Sequence, residues 1–212
     1  MRTRAIALAA AMAMLTPVIG AAHDAGDFYM RFGFSNVDPD DPNGDLAGGP
    51  DIIVDDAWSF TFTGSYQYTA NWAVELLAAY PFEHDIKVDG LGKVGSTKHL
   101  PPTLSLQYHF LPDATFQPYV GAGVNYTIFF DDEADGTLDS IGGDLSIEDN
   151  SFGWAAQVGA DWMLGERWFL NADLRYISIE TKAKVTIPGV GSIKEDVDIN
   201  PWVYGLNVGF KF

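Results

Sequence analysis

Trp72-Ala73-Val74-Glu75-Leu76-Leu77-Ala78-Ala79-Tyr80-Pro81-Phe82-Glu83 is the stretch whose reading decides the fold. Taken at every second position it separates into Trp72, Val74, Leu76, Ala78, Tyr80 and Phe82 on one side and Ala73, Glu75, Leu77, Ala79, Pro81 and Glu83 on the other. A helix would gather its apolar residues at spacings of three and four, whereas a strand sends successive side chains to opposite faces. The period here is that of a strand, with one wide apolar face and one mixed face that carries charge.

Seven further runs repeat the pattern. Phe28, Met30, Phe32 and Phe34 alternate, as do Trp58, Phe60 and Phe62 continuing through Tyr66 and Tyr68, and then Leu104, Leu106, Tyr108 and Phe110. After them come Val120 to Ile128, Phe152 to Leu164, Trp168 to Tyr176, and Trp202 to Phe212. The connections alternate in length. Ala70-Asn71, Leu111–Thr115 and Gly165-Glu166-Arg167 are short, while the others are long and mostly acidic. Such runs with short and long connections in turn predict an all-β fold, an eight-stranded antiparallel transmembrane β-barrel with short periplasmic turns and long extracellular loops.

At the N-terminus, Arg2 and Arg4 precede an apolar run from Ala5 to Leu15, with Pro17 and then Gly20-Ala21-Ala22 after it. The run is short of the roughly 20 residues a membrane-spanning helix needs and reads as a signal peptide. The expected organisation is a signal peptide over residues 1–22 and one barrel domain over residues 23–212. The chain's 12 basic and 29 acidic residues give a net charge of −17, and removal of Arg2 and Arg4 with the leader takes it to −19. Nucleic acid is therefore not an expected partner. The carboxylates crowd into Val37–Asp56 and Asp131–Asn150, and cysteine is absent, which excludes disulfides, thiolate metal sites and a lipid-modified cysteine anchor.

Aromatics stand at the strand ends: Trp72, Trp162 and Trp168 beside the short turns, and Tyr80, Phe82, Phe129 and Phe130 near the loops. They are expected at the two membrane interfaces, against outer-membrane lipid and lipopolysaccharide. The alternating end through Phe210 to Phe212 resembles the terminal signal read by the outer-membrane assembly machinery. A soluble lipocalin-like barrel also has eight alternating strands, but it turns its polar side to water. The polar series of this chain is small and glycine-rich, a poor coat.

Lys98-His99-Leu100-Pro101-Pro102-Thr103-Leu104, Pro118-Tyr119-Val120-Gly121-Ala122-Gly123-Val124-Asn125-Tyr126, Val74 to Ala79, and Asn200-Pro201-Trp202-Val203 onward to Phe212 together resemble the OmpW family, which includes the AlkL-type proteins. The resemblance runs from His23 to Phe212. It implies an eight-stranded barrel that lets small hydrophobic molecules cross the outer membrane, admitted from outside and released sideways through the wall. The acidic first and third loops are the least family-like parts.

Sorting the inward series by height gives the residues their own reading. Arg31, Glu75, His109, Asp161 and Asp173 fall low, with Arg175 nearer the middle, and are expected to pair into a polar floor. Eight strands leave an interior just wide enough for side chains, so paired charges there exclude a through-pore. Higher up the series turns to Leu77, Ala79, Pro81, Pro101, Phe129, Ala155, Ile177 and Ile179, an apolar cup suited to a hydrophobic solute. A solute stopped by the floor needs a break in the ladder, and Pro81, Pro101 and Pro102 supply residues without a backbone donor; this is the expected lateral opening. A further break, a bulge, is expected between Ile199 and Trp202.

Each of these residues has a plainer reading. Leu77 and Ile177 fill a solid barrel, Phe129 and Phe130 anchor at the interface, the prolines end pairing near the rim, and the charges form a structural network. The acidic loops lack the ligand order of a calcium loop and read as solvated surface; no metal or cofactor is expected. Small outer-membrane barrels include lipid hydrolases and acyltransferases, but catalysis needs a nucleophile and base within reach. Ser105 and His109 lie four residues apart on one strand face, too far for a direct hydrogen bond, which leaves Ser65 or another strand as a partner. The chain is expected not to be an enzyme. A structural or surface-receptor barrel with a filled core is the alternative to a channel.

Overall fold

The structure is a computed structural model and describes residues 23–46, 48–148 and 150–212; the expected signal peptide lies outside the described residues. The strands are β1 (Phe28–Asp38), β2 (Gly44–Asp45), β3 (Asp51–Val54), β4 (Ala57–Gln67), β5 (Trp72–Ala79), β6 (Phe82–Val88), β7 (Gly92–Leu100) and β8 (Thr103–His109). They continue as β9 (Phe116–Ala134), β10 (Asp144–Ile147), β11 (Ser151–Met163), β12 (Trp168–Ile177), β13 (Glu180–Ile187), β14 (Gly191–Asp198) and β15 (Trp202–Lys211), with one short helix, α1 (Gly136–Ser140).

Eight of these form the barrel. The order β1-β4-β5-β8-β9-β11-β12-β15 is antiparallel throughout, and β15 returns to β1 through a register running from Tyr29 opposite Lys211 to Asp38 opposite Trp202. Closure pairs each barrel strand with a neighbour on both sides, as hydrocarbon requires, where an unsatisfied backbone group has no water to turn to. The alternating pattern then sets the two faces. Phe32, Trp58, Leu76, Leu104, Val124, Trp154, Leu170 and Leu206 point outward and are exposed, whereas Arg31, Glu75, Gln107, Asp161 and Arg175 point inward and are buried. An apolar outside and a polar inside place this barrel in lipid rather than water.

The long connections are not unstructured. β2, β3, β6 and β7 extend one side of the barrel upward by pairing onto the upper part of β9, and β10, β13 and β14 form a second, separate sheet. Their inward apolar residues, among them Ile52, Val54, Ile86, Leu138, Leu145, Ala183 and Val197, join Val37, Phe82, Ile177, Ile179 and Val203 in one core. The carboxylates stay on the outer face, some tied to lysines: Lys93 lies 2.9 Å from both Asp85 and Asp135, and Lys194 lies 2.6 Å from Glu148. At such exposure these pairs contribute little. The acidic blocks thus present a charged exterior over an apolar lining, which the solvated-surface expectation did not include.

Two expectations about side-chain direction are corrected. Phe82 does not stand at the lipid interface. β5 ends at Ala79, Pro81 interrupts the strand, and the alternation restarts so that Phe82 is buried while Tyr80 is 72% exposed. The bulge expected between Ile199 and Trp202 is also not what occurs. Val197, Ile199, Pro201 and Val203 are all buried, so the two-residue period continues, and the local irregularity is a left-handed backbone at Asn200 with φ 37°.

Candidate functional site

The barrel floor is built around Arg31 of β1, a guanidinium with no exposed surface. Its Nε and Nη2 donate to the two carboxylate oxygens of Asp161 at 3.1 and 2.7 Å, and its Nη1 donates to Glu75 and, at 3.2 Å, to Ser65 Oγ. Glu75 is shared with Arg175, 3.1 Å away, and Arg175 Nε donates to Asp173 at 2.7 Å. Asn171 donates to Asp161 at 2.8 Å and Asn207 to Asp173 at 3.0 Å. Five ionised groups are therefore linked across β1, β5, β11 and β12, the condition under which buried charge is tolerated.

Aromatic rings fill what remains. The Arg31 guanidinium carbon sits 4.9 Å from the Tyr29 ring centre, 5.2 Å from Tyr119 and 5.7 Å from Phe169. The Phe169 ring occupies the space over Gly209, where a Cβ would meet ring carbons at 2.1 Å; only glycine permits that approach. His23 closes the base, stacked 4.1 Å from Tyr29 with Nε2 3.3 Å from Asp161. His109 is buried with Nε2 3.3 Å from Gln107 and 3.5 Å from Tyr29, while Ser65 is engaged with Arg31 and Glu75. All six residues expected in the floor lie in it. Tyr29, Tyr119, Phe169 and His23 join them unannounced, although Tyr29 shares the parity of Arg31 and was findable on that ground.

Above the floor the interior is tightly filled and turns largely apolar, with small polar residues paired among themselves, Ser35 with Thr61 at 2.9 Å and Asn125 with Thr103 at 2.9 Å. A lower cavity of about 10 Å³ is lined by Val37, Leu77, Phe82, Pro101, Ile177 and Ile179 with Thr61, His99, Pro201 and Val203. An upper one of about 20 Å³, within the loop sheets, is lined by residues that include Ile52, Ile86, Phe129, Ala183 and Val197 with His84 and His99. Each has room for about one water. Of the residues expected in the cup, Leu77, Pro101, Ile177 and Ile179 line the lower cavity and Phe129 the upper, and Ala155 and Ala79 belong to the same apolar core. Pro81 is half-buried and lines neither cavity.

His99 stands between the two cavities. It is stacked on His84 with ring centres 4.8 Å apart and planes 11° apart, and on Phe82 at 5.5 Å. His84 Nδ1 donates to the Asp55 carbonyl at 2.6 Å. Both rings belong to the extracellular β6–β7 hairpin, and burial holds both below the ordinary histidine range, His99 far below.

The wall beside the lower cavity is incomplete. β5 and β8 pair from Trp72 opposite Tyr108 up to Leu77 opposite Thr103, and pairing resumes only in the hairpin at Phe82 opposite His99. Among the described residues, no backbone hydrogen bond joins residues 78–81 to residues 100–102; Tyr80 N–H goes to Phe60 instead, and the Pro102 carbonyl accepts from Tyr126. Pro81, Pro101 and Pro102 provide no donor there. Pro201 borders no such gap, because Ile177 N–H donates to the Pro201 carbonyl and Ile199 N–H to Ile179.

The floor is plugged, the interior above it is narrow and the wall is unpaired between β5 and β8 above Leu77, and the OmpW family model matches the chain over residues 24–212. The chain belongs to the OmpW family. It is 43% identical over 211 residues to outer membrane protein W of Vibrio cholerae, covering 96% of each chain, and 32% identical over 208 residues to outer membrane protein AlkL of Ectopseudomonas oleovorans, covering 92% of this chain and 86% of that one. The crystal structure of the outer membrane protein OprG from Pseudomonas aeruginosa superposes with a TM-score of 0.85 at 42% identity, covering 91% of this chain and 98% of that one. This OmpW-family chain is an outer-membrane protein, as these three relatives are named.

Proposed function

We propose that this OmpW-family barrel passes small hydrophobic molecules across the outer leaflet, taking them from outside into the apolar interior and releasing them to the bilayer through the gap between β5 and β8. The observation that carries the reading is the coincidence of three features at one height. The apolar lining ends at Leu77, the charged plug begins at Glu75, and the unpaired stretch of wall starts directly above Leu77. A solute that reaches this level meets ion pairs below and an opening at the side.

The interior is filled by side chains, so passage proceeds by displacing Leu77, Phe82, Ile177 and Ile179 rather than through a standing pore. The same tight filling favours the second reading, a structural or surface-receptor barrel without transport. The proposal assigns no catalytic step and no cofactor. Its partners are small apolar solutes, the outer-membrane lipid and lipopolysaccharide around the aromatic belt, and the assembly machinery that meets the strand ending at Phe212. The two readings separate by uptake of an apolar solute in cells carrying the wild type or Leu77→Arg, with folding checked by heat-modifiable migration. Loss of uptake in a folded Leu77→Arg supports passage through the interior. Wild-type uptake no greater than that of cells without the protein, for several apolar solutes, removes the proposal and leaves the structural reading.

A further inference from the structure

Two imidazoles in an apolar passage are out of place unless something polar meets them. His84 and His99 are each 1% exposed, and three of their four ring nitrogens, His84 Nε2 and both of His99, have no hydrogen-bond partner. Buried polar groups are almost always paired, so each exception asks for an explanation. The proton inventory is constrained. His84 must carry its proton on Nδ1 to donate to the Asp55 carbonyl, which leaves Nε2 as an acceptor. His99 as a neutral ring offers one donor and one acceptor. The pair therefore presents an acceptor and a donor side by side, 4.8 Å between ring centres, where the two cavities meet.

A metal ion does not suit this pair. Ring planes only 11° apart send their in-plane lone pairs along parallel lines rather than toward one point. Among the described residues no third histidine or carboxylate completes a ligand set, so a cation would bring uncompensated charge into an apolar space. A hydroxyl suits it. It needs no such convergence, because a single hydrogen bond suffices: the hydroxyl can donate to His84 Nε2 or engage a His99 nitrogen in that ring's own plane, at the usual length of about 2.9 Å. The upper cavity's 20 Å³ has the volume for such a group, while the apolar body of the same molecule enters by displacing Phe82, Leu77 and Ile177 around the smaller cavity below.

We propose that His84 and His99 form a hydroxyl-selective site within the passage, so that the favoured solutes are amphiphiles such as phenols and alkanols rather than pure hydrocarbons. The inference rests on the transport reading for its biological setting, but its binding content stands separately. A site with unpaired donor and acceptor prefers a hydroxylated solute because a hydrocarbon leaves those groups unpaired.

Phenol and toluene are a matched pair, differing by hydroxyl against methyl. The test is titration of each into the folded full chain in lipid bilayers, reading the imidazole nitrogen resonances of the chain's four histidines, His23 and His109 in the floor serving as internal controls. Phenol is expected to shift His84 and His99 and not the floor pair, and His99→Leu is expected to lower the ratio of phenol to toluene affinity at least tenfold. His84→Phe, which keeps a stacked ring but has no ring nitrogen, provides a second variant should His99→Leu misfold, and is expected to lower the same ratio. Equal responses to phenol and toluene, or unchanged phenol affinity in a folded variant, overturn the site. Failure of the transport reading is a different result, absent toluene and phenol flux with the phenol-specific shifts intact.

Discussion

Replacing Arg31 by methionine keeps most of the volume and removes the charge at the centre of the floor. The substitution deletes two hydrogen bonds to Asp161, one to Glu75 and one to Ser65. Breaking a buried ion pair by removing one member costs about 3–5 kcal/mol, mostly because the surviving charge is left uncompensated. Two features hold the cost toward the low end. Asp161 keeps Asn171 at 2.8 Å and His23 at 3.3 Å, and Glu75 keeps Arg175 at 3.1 Å. The expected loss is about 3 kcal/mol, somewhat over a hundredfold in the folded-to-unfolded ratio. Urea unfolding in lipid vesicles, followed by the fluorescence of the six tryptophans and by heat-modifiable migration, measures it. Adding Glu75→Gln and Asp161→Asn to Arg31→Met is expected to return at least half of the loss. Solute uptake by folded Arg31→Met is expected to match the wild type, and no ion conductance should appear, because Tyr29, Tyr119 and Phe169 still fill the floor. A loss below about 1 kcal/mol for the single variant would show that the network is not what stabilises the base, and conductance in the folded variant would refute the floor as a closed plug.

The proline facing β5 is expected to matter through its missing donor: Pro101→Ala supplies an N–H opposite Ala79, extends the β5–β8 ladder, and lowers uptake several-fold without loss of folding, as uptake assays on the two proteins will show. The extracellular hairpin is expected to loosen in acid. Burial depresses both imidazoles below the unfolded value of 6.5, a depression that Asp55, Asp56 and Asp85 only partly offset at His84, so the hairpin's full stability is present above pH 6.5 and falls as the pH drops, when the unfolded segment takes up protons that the folded one refuses. Limited proteolysis within residues 82–100 should quicken between pH 7.5 and about 5.5 in the wild type and less in His99→Phe. Gly209→Val is expected to push Phe169 off the floor and cost several kcal/mol of unfolding free energy, on the order of a large overpacking defect, whereas Gly209→Ser costs less.

The barrel was legible because its signal is repeated: the two-residue period sorts Trp72, Val74 and Leu76 to lipid and Ala73, Glu75 and Leu77 inward, and eight such runs with alternating connections leave little choice of architecture. The same parity located Arg31, Glu75, Asp161, Asp173 and Arg175, whose mutual distances it had no means to supply. Parity fails where the chain breaks step. Pro81 shifts the register by one, which turned Phe82 from an interfacial anchor into a lining residue, and no local pattern announces that shift. The loops were the largest omission. Ile52, Val54, Ile86, Leu138 and Leu145 are scattered among carboxylates, so composition reads as solvated, and only pairing between distant segments shows them to be one apolar lining. His84 and His99 come together through the register of one hairpin, which sets His99 opposite Phe82 and His84 opposite Thr97 and leaves the two rings diagonal neighbours.

The central claim, that the apolar interior above Arg31 and Glu75 is the path of the solute, is tested most directly by photolabelling the protein in lipid vesicles with a small diazirine-bearing hydrocarbon and mapping the labelled residues by mass spectrometry. Lipid-facing Leu76 and Leu104 will be labelled under either reading and serve as the reference. The account expects label on Leu77, Phe82, Ile177 and Pro101 as well, with Leu77→Arg removing it from those positions alone. Label confined to the lipid-facing set, with the interior untouched at saturating probe, would contradict the account and leave a filled structural barrel.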